Sequence, residues 1–171
     1  FHRANDNMTV EVVTNSEVYN EFSSGAQDIT AIKDLMRMLY NRAADSTELP
    51  KYLLLFGDGS YDNLHRLSNN TNYIPTYQSA DSYQPVWSYV SDDYFGLLDD
   101  NEGDNPADDL DIGIGRFPVQ SATEAEAMVY KVTNYNSSNT MRDWRNVVCF
   151  IADDQDGNIH IDPSDDIAIH I

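Results

Sequence analysis

The segment Gly57-Asp58-Gly59-Ser60-Tyr61-Asp62 follows directly on the apolar run Tyr52-Leu53-Leu54-Leu55-Phe56. A carboxylate there would face a cleft at a strand end, and flanking glycines allow the backbone to come close to a ligand. Asp58, Ser60 and Asp62 together present hard oxygens of the kind a divalent cation takes. The same residues also suit a turn in which the carboxylate accepts from backbone amides. The third glycine of a dinucleotide fingerprint and the Gly-Lys-Ser/Thr of a phosphate loop are both missing.

A second acidic stretch runs from Asp92-Asp93 to Asp99-Asp100-Asn101-Glu102-Gly103-Asp104. It fails as an EF-hand: with Gly103 sixth the first ligand would be Leu98, and with Gly157 sixth it would be Ala152 and the twelfth Pro163. A solvated acidic loop or an irregular calcium site fits the composition. The residues retained as metal ligands are Asp58, Asp62, Asp92 and Asp93.

Cys149 sits among Val147, Val148, Phe150 and Ile151, where an apolar strand would disfavour the thiolate, so a buried structural thiol is expected. His2, His65, His160 and His170 are scattered, and only His160 stands near a strand end. No Ser, His and Asp constellation assembles.

With 171 residues, 41% of them hydrophobic, the chain can bury a core. Ten basic against 29 acidic side chains give a net charge of -19, a field that repels phosphate backbones and anionic headgroups. Nucleic-acid partners are not expected. No apolar run reaches the ~18 residues of a membrane span, and no signal-peptide core opens the chain. One cysteine excludes an internal disulfide framework. The final Asp162-Pro163 stretch reads as a helix entry without a stop signal, as in a piece of a longer protein.

The elements that must position these groups alternate. Thr9 to Val13 reads as a half-buried strand, and Ser24 with Gln27 opens a helix whose Ile29, Ile32, Leu35, Met36, Leu39 and Ala43 share a face. Tyr52 to Phe56 reads as a central strand covered on both faces of a parallel sheet. An elaborated loop region then carries short extended pieces at Pro85–Val90 and Tyr94–Leu98. Leu110–Gly115 resumes strand alternation. Ser121 and Glu124 open a second helix with Ala125, Met128, Val129, Val132 and Tyr135 on one face, and Asn146–Ala152 reads as another buried strand. Strands alternating with amphipathic helices predict an α/β layered sandwich.

Longer segments carry a family likeness. Tyr19-Asn20-Glu21-Phe22-Ser23-Ser24-Gly25, Ala31-Ile32-Lys33-Asp34-Leu35-Met36, Leu53 to Gly59, Ser91-Asp92-Asp93-Tyr94-Phe95-Gly96 and Asp111 to Val119 resemble, in that order, the peptidase domain of the gingipain-like cysteine peptidases. The likeness runs from about Val10 to about Gly157 and is greatest to the cell-surface sortase branch of the type IX secretion system. It implies a caspase-like (gingipain-type) three-layer α/β sandwich, truncated to the first subdomain, 1–140, plus the opening strand of the second, 141–171. It also implies a His and Cys dyad that cleaves C-terminal sorting signals from exported proteins and joins them to a surface lipopolysaccharide.

In the family the catalytic His precedes a glycine, whereas His160 and His170 precede isoleucines, so both dyad residues are expected beyond Ile171 and the chain alone is expected to be inactive. The family's His-orienting acid falls on Asp154, with Asp153 as the alternative. The resemblance requires no cofactor, allows a structural calcium, and implies protein substrates with sorting signals, other secretion components and the exterior of a Gram-negative outer membrane. A strand-exchanged oligomer of the chain is a further expectation. The competing readings are a divalent-metal-dependent acidic binding module and a purely structural subdomain.

Overall fold

A computed structural model describes residues 1–80, 83–84, 87–103 and 108–170. They fall into two compact units, Phe1–Tyr130 and Lys131–Ile171. Pro85 and Val86 of the expected 85–90 strand, Asp104 of the acidic loop, and Ile171 lie outside the described residues.

After a single turn of helix, α1 (His2–Asn5), the first unit has no ladder over Thr9–Val13, where Val12 and Val13 are exposed. Among the described residues the β-branched alternation finds no strand to pair with, which corrects the expected strand. Helix α2 (Asn15–Phe22) follows, closed by a reciprocal capping box. The Thr14 side chain accepts from the Glu17 amide, and the Glu17 carboxylate accepts from the Thr14 N–H at 2.7 Å. Helix α3 (Ile29–Arg42) starts later than expected, with Asp28 as its cap, accepting from the Thr30 amide at 2.8 Å. Ser24 and Gly25 have positive φ and form the reversal between the helices, so a helix cannot run through them.

Strand β1 (Tyr52–Phe56) pairs in parallel with β4 (Gly113–Phe117), Tyr52 beside Gly113 and Phe56 beside Phe117. A two-residue antiparallel ribbon, β2 (Tyr77–Gln78) with β3 (Val90–Ser91), lies between them in sequence. The expected extended piece at Tyr94–Leu98 is instead a 3-10 turn over Asp93–Gly96, which seats Phe95 in the core.

That core lies on one face of the β1–β4 sheet. Val18 and Tyr19 of α2, Ala31 and Ile32 of α3, Leu55 and Phe95 form one buried cluster, and Met36, Leu98 and Ile112 continue it. The opposite face is open: Tyr52 is 69% exposed, and Leu54 and Phe56 are exposed as well. β1 is therefore covered on one face of this chain, not two. Lys33 is buried in α3, donating to the Glu102 carbonyl at 2.7 Å with its ammonium over the Tyr94 ring. Gly103, at φ +113°, leaves it room, since a Cβ there would lie 2.4 Å from the Lys33 Nζ.

Helix α4 (Ala122–Tyr135) begins in the first unit and ends in the second, with Ser121 accepting from the Glu124 amide as the capping pattern predicts. Within the second unit Arg145 lies over the Tyr135 and Trp144 rings and donates to Thr140 Oγ1. 3-10 turns span Ser138–Thr140, Asp143–Asn146 and Asp156–Asn158, and α5 (Ile161–Ile169) ends the unit. Residues 147–155 belong to no strand. The opening strand expected of the second subdomain is not formed, because no partner ladder meets it among the described residues, and Cys149 is exposed rather than buried.

Candidate functional site

The carboxyl ends of β1 and β4 lead into two connections, β1–β2 and β4–α4, that are tied together by side chains. Asp58 joins them most directly. Its Oδ2 accepts from Thr71 Oγ1 at 2.5 Å and from Gln120 Nε2 at 2.8 Å, linking the segment after β1 to a later part of the same β1–β2 connection and to the β4–α4 connection. Its backbone amide donates to Val119 and its carbonyl accepts from the Ile74 amide. Gly59 has to be glycine, since a Cβ would meet Thr76 Cγ2 at 2.8 Å and the Ile74 carbonyl at 3.0 Å. Asp58, Ser60, Tyr61, Asn69, Thr71 and Gln120 line an open cleft of about 360 Å³. Placement of a cleft at strand carboxyl ends is the position that α/β sheets use for ligands.

Asp62 faces inward, into its own loop. It is buried, with Oδ2 accepting from the Leu67 amide at 2.7 Å, and the Leu67 and Arg66 backbone N–H groups hold its carboxyl below the usual carboxylate range. Asn72, also buried, accepts from the Ser60 amide and closes the same loop. Because the folded pKa of Asp62 is depressed, the carboxylate stabilises the fold above its unfolded pKa, and this is lost as pH falls through the folded value. Asp62→Asn is accordingly expected to flatten the acid limb of a melting-temperature profile below about pH 4. A parallel shift at every pH would assign the loss to packing instead.

Asp92 is committed elsewhere. Both of its oxygens accept from Arg116, at 2.7 Å each, while Arg116 Nη1 also donates to the carbonyls of Gly57 and Ile74 at 2.9 and 2.8 Å. This partly buried guanidinium fixes the end of β1, the loop before β2 and the turn after β3 at once. Arg116 was legible as a charged residue within the apolar pattern of Gly113–Phe117, yet nothing in the spacing named its partner. Asp93 lies in the following turn, its amide donating to Ser91 Oγ.

The four acids named as metal ligands are thus distributed over separate hydrogen-bond systems. Among the described residues no three of His, Cys, Asp and Glu come together as a group able to hold a metal. In the acidic loop Asp100 pairs with Arg37 at 2.5 Å, and the Gly103 amide donates to Asp108.

In the second unit Asp153 Oδ1 accepts from the Gln155 amide at 3.2 Å, the turn-capping role open to a strand-end Asp. Asp154 is exposed and makes no hydrogen bond among the described residues. His160 precedes α5 without a side-chain cap bond. No helix among the described residues is long and apolar enough to cross a membrane.

Comparison with curated proteins finds no match. Among solved structures the chain is similar to dimeric latent PorU from Porphyromonas gingivalis, with 35% identity and a TM-score of 0.68. The similarity covers 91% of this chain and 16% of that one, so the chain spans about a sixth of its neighbour's length. A family model, peptidase family C25, matches residues 1–170. The half-finished α/β sandwich and its strand-end loops accord with that match, and the chain belongs to peptidase family C25, the gingipain family.

Proposed function

We propose that this chain is part of a cell-surface cysteine peptidase and transpeptidase of the type IX secretion system, which removes C-terminal sorting signals from exported proteins and attaches them to a surface lipopolysaccharide. The similarity to PorU over nine-tenths of the chain carries this reading. Residues 1–140 make up the first subdomain and 141–171 the start of the catalytic one, with the dyad supplied outside these residues. Asp154, or Asp153 in its place, accepts from the distal imidazole N–H of the catalytic His, which fixes the tautomer and stabilises the imidazolium.

The 171-residue chain alone is then expected to hydrolyse no peptide, because nucleophile and base must lie within hydrogen-bond reach. In the whole protein Asp154→Asn is expected to lower turnover and move the acid limb of its pH profile, with substrate binding little changed. In the producing bacterium, loss of the protein should leave exported proteins carrying their C-terminal segment and released into the medium. Mature, surface-bound proteins in such a strain would overturn the reading. A structural calcium is a separate proposal, supported by a melting temperature that rises more with millimolar calcium than with matched magnesium and refuted by equal shifts.

A further inference from the structure

His65 stands in the β1–β2 connection with its backbone in the left-handed region, at φ +50°. A glycine or asparagine would hold that conformation more readily than a histidine. The ring is what the position uses. Its Nδ1 lies 3.0 Å from Asn70 Nδ2 and its Nε2 3.4 Å from Gln27 Oε1, so it joins a later part of its own loop to the α2–α3 connection.

The partners leave the ring one tautomer. Asn70 Nδ2 donates to the Asp62 carbonyl at 2.7 Å, which identifies that end of the amide as the nitrogen. Gln27 Nε2 donates to the Asn72 carbonyl at 3.0 Å, so its oxygen is the end that meets the imidazole. Nδ1 must therefore accept and Nε2 must carry the hydrogen, which is a neutral ring. On an imidazolium both nitrogens donate, and Nδ1–H would point at an N–H. Turning Asn70 over does not rescue the contact. It would set Oδ1 against the Asp62 carbonyl and put the NH2 where the buried Oδ1 now has no partner.

His65 is exposed, so protons reach it. Asp62 is the charged group that acts on it from its own loop, with a carboxyl held down chiefly by the Leu67 and Arg66 amides and in part by the ring. Asn70 and Gln27 are neutral, Asp28 beside Gln27 accepts from the Thr30 amide, and Arg66 adjoins His65 in the chain. The Asp62 carboxylate favours the charged ring, whereas the Asn70 contact requires the neutral one. Histidine changes charge between about pH 5 and 8, where a carboxylate held down like that of Asp62 stays ionised.

We propose that His65 is a proton-operated latch. Neutral, it holds the 62–71 loop to the α2–α3 connection. Protonated, it lets go, and the wall of the Asp58 cleft formed by Asn69, Asn70 and Thr71 loosens with it. This goes beyond the peptidase reading and does not rest on it.

The test is NMR on the whole chain, which reads the ring and the loop separately. At about pH 8 the His65 nitrogens are expected to show hydrogen on Nε2 and none on Nδ1. The Leu67 amide donates to Asp62 and the Asn70 amide to the Leu67 carbonyl. Corrected for intrinsic exchange, both should lose protection severalfold between about pH 8 and about pH 5.5, with a midpoint that follows the His65 ring, while the amides of β1 do not change. These two readouts need no variant. His65→Asn, which suits the left-handed backbone and does not titrate, should remove the pH dependence. Hydrogen on Nδ1 in the neutral ring, protection that is the same at both pH values, or a pH dependence that survives His65→Asn would each overturn the proposal.

Discussion

Arg116→Leu is expected to destabilise the first unit by about 3 kcal/mol, the low end of the cost of removing one partner from a buried ion pair, because Arg116 and Asp92 are only partly buried. The variant leaves the Asp92 carboxylate without its bidentate partner and takes a donor from the Gly57 and Ile74 carbonyls. For a unit of this size the melting temperature should fall by roughly 10–20 °C, measured by circular dichroism. Asp92→Asn, which keeps a hydrogen-bond acceptor, should cost less. Replacing both residues by leucine should cost less than the sum of the two single losses, because no uncompensated charge then remains. A loss for Arg116→Leu within about 1 kcal/mol, the range of an exposed pair, would show that the guanidinium does not organise the strand ends.

Phe95→Ala should have a comparable effect for a different reason. The ring is 0% exposed and sits where α2, α3 and β1 meet, against Val18, Tyr19, Ala31, Ile32 and Leu55. Loss of a buried aromatic costs about 3–5 kcal/mol through lost transfer energy and the cavity left behind. Tyr52→Ala is the matched contrast. It removes an aromatic of similar size from the bare face of the sheet and should lower the unfolding free energy, read from denaturant titration, by less than about 1 kcal/mol. Similar losses at the two positions would mean that the bare face is covered in solution.

What the sequence made legible was periodic or locally capped. Tyr52–Phe56 and the helix after Ser121 stand where their apolar runs and caps place them. Helix α2 carried its capping box in plain view, Thr14 and Glu17 three apart, but its polar surface obscured the apolar pair Val18 and Tyr19. Thr9–Val13 and Asn146–Ala152 have strand composition and form no ladder, because composition describes a surface ready for pairing and cannot supply the neighbour. The site divided in the same way. Asp58 and Asp62 were identifiable as strand-end acids, whereas Gln120 and Arg116 reach Asp58, or the backbone beside it, from segments far along the chain, and Thr71 reaches it from later in the same connection.

The parallel pairing of β1 with β4 also has a consequence for synthesis. Tyr52 can complete its ladder only after Gly113–Phe117 has been made, and Arg116 closes the strand ends only with that last strand. The α2–α3 pair rests on near neighbours in sequence and can form early, whereas β1 must wait through the whole acidic loop region with both edges and the Tyr52–Leu54–Phe56 face bare. During that interval Tyr52-Leu53-Leu54-Leu55-Phe56 is the segment of the nascent first unit most in need of a chaperone's cover.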